Sequence, residues 1–108
     1  MRSMQQVPHT PYVEVSAVPD DAFILDVREP DEWSAGHVEG SLHIPMGLLP
    51  DRAAEVPHDR RVVVVCRSGH RSARVTGYLR QHGCDAVNLE GGLVAWRAAD
   101  RKLTGPVI

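Results

Sequence analysis

The stretch Val62–Arg74, VVVVCRSGHRSAR, joins four consecutive valines to a cysteine, a short loop containing Gly69 and a helix-forming segment. Valine is β-branched and favours extended backbone. Four in a row without polar alternation predict a strand covered on both faces, as in the middle of a parallel sheet. The helix that follows is expected from about Ser68 to His82, stopped by Gly83. In open α/β sheets, ligands bind outside the carboxyl ends of the strands, and Cys66 falls at such an end.

Working outward, Tyr12–Val15, Phe23–Val27, Ser41–Ile44 and Ala86–Leu89 read as further short strands. Pro30-Asp31-Glu32-Trp33 opens a brief helix, with proline near its first position and acids in its first turn. A weak helix is expected within Gly47–Val56, interrupted by Pro50 and ended by Pro57. A last helix spans about Leu93–Ala99 after the Gly91-Gly92 turn. The alternation of strands and helices implies an α/β domain with a mainly parallel sheet. Residues 1–11 read as an irregular lead-in, 12–103 as one domain and 104–108 as a tail.

A chain of 108 residues, 43% hydrophobic and 24% charged, is the size of one globular domain with its own core. Its net charge of −2 argues against a nucleic-acid partner. The longest unbroken apolar run, Val62–Cys66, is far shorter than the ~20 residues of a membrane span. MRSMQQVPHTP lacks the apolar core of a signal peptide, and two cysteines are few for a disulfide scaffold. A cytoplasmic protein with reduced thiols, without nucleic-acid or membrane partners, is the expectation. Lys102 is the only lysine, so the basic residues are almost all arginine. Genome-wide codon usage and a local anion site both account for that bias.

The setting of Cys66 predicts a reactive thiol. An ordinary cysteine titrates near ~8.5, leaving a few per cent thiolate at neutral pH. A helix N-terminus supplies unpaired amides and about 0.3–2 kcal/mol of preference for an anion. A glycine loop can turn further amides inward as a nest. Arg67, His70, Arg71 and Arg74 crowd into the same few positions. Arg71 falls near the helix stripe of Val75, Tyr78 and Leu79 and sits in a first turn, where a cation opposes the helix dipole. Two explanations stay open for it: contact with a bound anion, or an ion pair with Asp26, Glu29 or Glu32. Cys84, following Gly83 without a cationic cluster, reads as a core residue, with the resolution of an oxidised or persulfidated Cys66 as the rarer role.

Three blocks carry a family resemblance: ILDVREPDEWSAGHVEGSLHIP (Ile24–Pro45), VVVVCRSGHRSA (Val62–Ala73) and AVNLEGGLVAW (Ala86–Trp96). In this order and spacing, the chain resembles a single-domain rhodanese. The resemblance implies a five-stranded, mainly parallel sheet with helices on both faces. It also implies that Cys66 is the nucleophile and carries a persulfide between two half-reactions. The segment Cys66–Arg71 would wrap the outer sulfur with backbone amides, making Arg67, Ser68, Gly69, His70, Arg71 and Ser72 the substrate-binding set. Asp26 and Arg28 would hold the loop and sheet ends together, and His37 would be structural. The family's usual first helix has almost no room between Val15 and Phe23.

The function expected on this basis is sulfur transfer from thiosulfate or a persulfide to cyanide, a cellular thiol or a protein acceptor. No metal or organic cofactor is needed for it. A cysteine phosphatase, or an arsenate reductase on the same fold, is the enzymatic rival. The phosphatase loop has five residues between cysteine and arginine, whereas four separate Cys66 from Arg71. A persulfide carrier without turnover is the non-enzymatic rival. Trp33 and Gly47–Leu49 offer a rim for docking a protein, with burial in the core as the other role of Trp33.

Overall fold

The computed structural model describes residues 10–105. Five parallel strands form one sheet: β1 (Tyr12–Val13), β2 (Phe23–Asp26), β3 (Leu42–His43), β4 (Val62–Val65) and β5 (Ala86–Leu89). Their order is β1-β5-β4-β2-β3, which puts the four valines at the centre. Four helices accompany them: α1 (Pro30–Ala35), α2 (Leu49–Arg52), α3 (His70–Gln81) and α4 (Gly92–Ala98).

The missing alternation in the valine run has a direct cause. Val62 and Val64 pack with Leu49, Val75 and Leu79 beneath α2 and α3. Val63 and Val65 pack with Val87, Leu93 and Trp96 beneath α4 on the opposite face. Both faces are apolar because both are covered. The same pleat aims polar residues: Asp26 shares the α4 face with Ile24, and Asn88 shares the α3 face with Ala86.

Most boundaries move by one or two residues. β1 and β3 are shorter than expected, and Val15–Ala17 is a single 3₁₀ turn in the narrow link where no helix fits. Pro50 does not interrupt the Gly47–Val56 segment. It lies in the first turn of α2, where its missing N–H is not needed, between 3₁₀ turns at Met46–Leu48 and Ala53–Glu55. α3 begins at His70 rather than Ser68, because Gly69 adopts φ +105° and keeps Ser68-Gly69 in the loop.

The buried stripe of α3 is Ser72, Val75, Thr76 and Leu79, which keeps Val75 and Leu79 of the expected stripe and leaves Tyr78 half-buried. Ser72 can be buried because its hydroxyl finds partners on β5 and at Cys66. Arg71 stays half-buried at the edge of the stripe. Trp33 is neither core nor bare surface: its ring stacks with those of His37 and His43, at centroid distances of 3.5 and 4.6 Å. Within the expected tail, Thr104 pairs antiparallel with His37. Residues 1–9 of the lead-in and 106–108 of the tail lie outside the described residues. No helix among the described residues is long and apolar enough to cross a membrane.

Candidate active site

β4 delivers Cys66 to the carboxyl end of the sheet, where the chain turns through Arg67-Ser68-Gly69 into α3. Cys66 is fully buried, and three donors converge on its sulfur. The Gly69 amide lies 3.1 Å from Sγ, the Ser72 amide 3.4 Å and Ser72 Oγ 3.3 Å. Burial alone pushes the thiol pKa up. The Ser72 hydroxyl and the amides of Ser72, Gly69 and Ser68 outweigh it, so the thiol is held below its ordinary value. Cys84 receives no such donors, and burial pushes its thiol up. The two sulfurs are both buried and unlinked, yet only the Cys66 thiol is held below its ordinary pKa.

The loop is held from behind by α4. The Leu93 amide donates to the Cys66 carbonyl at 2.9 Å, and the Val94 amide to the Arg67 carbonyl at 3.0 Å. Gly92 makes that approach feasible: a Cβ there would lie 2.5 Å from the Arg67 oxygen, and its φ is +59°. Asn88 holds the loop from the side, donating from Nδ2 to the Gly69 carbonyl at 3.1 Å and accepting from Ser72 Oγ.

The cations are arranged differently from the donors. Arg71 makes a two-pronged pair with Glu32 of α1, Nη1–Oε1 2.7 Å and Nη2–Oε2 2.9 Å. Glu32 is thus its partner among the three carboxylates left open by the sequence. The Arg71 guanidinium, helped by the Glu29 amide, brings the Glu32 pKa down to about 2 against the effect of burial, so Glu32 stays ionised at neutral pH. Glu32 in return pushes the Arg71 pKa up, with a smaller contribution from the charge of Cys66.

Arg67, Ser68 and His70 are exposed, with Ser68 Oγ 3.2 Å from His70 Nδ1. Arg74 does not join them: it lines a separate cleft of about 410 Å³ with Met46, Pro50 and Tyr78. Two clefts flank the cysteine loop. One of about 510 Å³ is lined by Arg28, Glu32, Arg67, Leu93, Val94 and Arg97. The other, about 390 Å³, is lined by Tyr12, Ser68, Gly69, His70, Asn88 and Glu90.

Asp26 and Arg28 form a buried pair at the end of β2. Arg28 reaches Asp26 with Nε, Nη2 and its own amide, at 2.8–3.1 Å. Its remaining bonds go to the Glu32 and Gly36 carbonyls of α1 and its C-cap. The pair therefore fixes the helix that carries Glu32, and through Glu32 it bears on Arg71. Asn88, Gly92 and the α4 amides escaped the sequence reading. A visible signal existed for Asn88, a lone amide within an otherwise apolar strand.

The rhodanese-like domain family model matches residues 14–99, spanning every element from the first 3₁₀ turn to the end of α4. The chain belongs to the rhodanese-like family. A sulfurtransferase from Allochromatium vinosum is 41% identical over 88 residues, covering 81% of this chain and 82% of that protein. The thiosulfate sulfurtransferase GlpE of Stutzerimonas stutzeri is 38% identical, covering 70% of this chain and 71% of its own length. Among solved structures, a rhodanese-related protein from Thermoplasma volcanium superposes with a TM-score of 0.82 at 28% identity, over 87% of this chain and 97% of its own. The chain is accordingly a rhodanese-like sulfurtransferase by relationship.

Proposed function

We propose that the chain moves sulfane sulfur from thiosulfate or a persulfide donor to a thiophilic acceptor, cyanide or a cellular thiol, through a persulfide on Cys66. The observation that carries this reading is the convergence of the Gly69 and Ser72 amides and the Ser72 hydroxyl on one buried sulfur. Such a set stabilises an anionic sulfur without a metal ligand or a general acid. The name of the GlpE relative supports thiosulfate as a donor.

In the first half-reaction the Cys66 thiolate attacks the outer sulfur of thiosulfate. The S–S bond of the donor breaks, its electron pair leaves with sulfite, and a Cys66–S–S⁻ persulfide remains. In the second, the acceptor attacks the outer sulfur, the new S–S bond breaks, and its electron pair returns to Cys66 as thiolate. Charge balances in both steps, and no proton transfer is required when the acceptor is anionic. The segment Arg67–Ser72 binds the transferred sulfur, with the exposed Arg67 beside the larger cleft drawing in the anionic donor.

Steady-state kinetics test the scheme. With thiosulfate and cyanide both varied, thiocyanate formation is expected to give parallel double-reciprocal lines, the signature of double displacement. Intersecting lines would point to a ternary complex and contradict the covalent intermediate. Sulfur loading without turnover would instead support the carrier reading.

A further inference from the structure

Asn88 sits on β5, only 6% exposed, and touches two of the groups that surround Cys66. Its orientation follows from valence. The Gly69 carbonyl can only accept, so the atom facing it at 3.1 Å is the amide nitrogen, and the oxygen must face Ser72. That oxygen can only accept in turn, so it draws the Ser72 hydroxyl proton at 2.5 Å. The same hydroxyl lies 3.3 Å from Cys66 Sγ. A hydroxyl has one proton, and here two acceptors stand within reach of it once the sulfur is ionised.

We propose that Asn88 is a positioning residue that competes with the Cys66 sulfur for the Ser72 hydroxyl proton, making that hydroxyl a two-position switch. With Cys66 as a thiol, S–H points to the Ser72 oxygen and the hydroxyl donates to Asn88, so every group is paired. With Cys66 as a thiolate, the hydroxyl turns to sulfur and leaves the Asn88 oxygen buried without a donor. Asn88 therefore works against ionisation, while Ser72 works for it. The inference rests on the sulfur-transfer reading for its use: once a persulfide forms, the charge moves to the outer sulfur and the hydroxyl returns to Asn88. When the acceptor takes that sulfur, the hydroxyl turns back to the departing thiolate. A thiolate held too strongly is a poorer nucleophile, so the competition raises the nucleophilicity of the Cys66 thiolate while opposing its formation.

Arg67 and His70 belong to the segment that carries the sulfur, and both are exposed. Arg71 at the start of α3 contributes through its charge, with Glu32 of α1 fixed to it. The Asp26–Arg28 pair closes the end of β2 beside β4. After β5, Glu90 lines one cleft with Asn88 and His70, and from α4 Arg97 lines the other with Arg67, while the Leu93 and Val94 amides reach the Cys66 and Arg67 carbonyls rather than the sulfur.

The test is the pH dependence of Cys66 alkylation by iodoacetamide, read on the Cys66 peptide by mass spectrometry in the full chain without any sulfur donor. Asn88→Ala is expected to lower the apparent Cys66 pKa by about half a pH unit or more, and Ser72→Ala to raise it. In the Ser72→Ala background, Asn88→Ala is expected to have no further effect. Asn88→Leu, which keeps the branched shape without donor or acceptor, takes the place of the alanine variant where that variant does not fold. A rise on removing Asn88, or the same shift with and without Ser72, would overturn the proposal. Because no donor is present, these outcomes are independent of whether thiosulfate is the substrate, which the thiocyanate assay decides separately.

Discussion

Cys66→Ser is expected to lower thiosulfate:cyanide sulfurtransferase activity by at least about 10³-fold while leaving the fold intact. The two side chains are nearly the same size, and the site offers donors that suit an oxygen as well as a sulfur. Packing around β4 is therefore little changed. What is lost is a nucleophile that ionises readily: the amides and hydroxyl hold the thiol below its ordinary pKa, whereas an alcohol starts far above any thiol. Thiocyanate release followed through its iron complex measures the activity, and circular dichroism the fold. Activity within tenfold of the native chain would remove Cys66 from the reaction.

Arg28→Met is expected to destabilise the chain by about 3–5 kcal/mol. Asp26 is fully buried, and the Arg28 side chain supplies three hydrogen bonds to its carboxylate. Removing that partner strands a charge in the sheet and also strips donors from the Glu32 and Gly36 carbonyls. Methionine keeps much of the side-chain volume, so the effect reports the lost pairing rather than a cavity. Equilibrium urea denaturation measures it. Adding Asp26→Asn should recover part of the loss, since the stranded charge is then gone. A loss under about 1 kcal/mol would mean that water reaches Asp26 and the pair is not a structural anchor.

The parts of the fold that were legible are those where local pattern and tertiary environment agree. Val62–Val65 reads as a doubly covered strand because an unbroken β-branched apolar run leaves no polar face for solvent, and Cys66 follows at its end. The five-stranded parallel sheet came with the family blocks, whereas the strand order β1-β5-β4-β2-β3 is a property of the folded chain. The first block gave Asp26 and Arg28 as supports of the loop and sheet ends, but their pairing with each other and their bonds to α1 were not legible there.

Arg71 shows where the reading stopped. Helical periodicity brings it near the buried stripe, but the choice between an anion and Glu32 depends on how α1 packs against α3, which no local rule encodes. Asn88 and Gly92 act across the sheet on a loop about twenty residues earlier in the chain. Their role follows from the parallel pairing of β4 with β5, and that pairing is a property of the folded chain.

The central claim is that sulfur rests on Cys66 between the two half-reactions. Its most direct test is the intact mass of the protein after brief exposure to thiosulfate and removal of excess reagent. The account predicts a gain of about 32 Da, one sulfur atom, localised to the Cys66 peptide, absent in Cys66→Ser and discharged by cyanide with stoichiometric thiocyanate. An unchanged mass in a protein that still turns over, or an adduct on Cys84 instead, would contradict it.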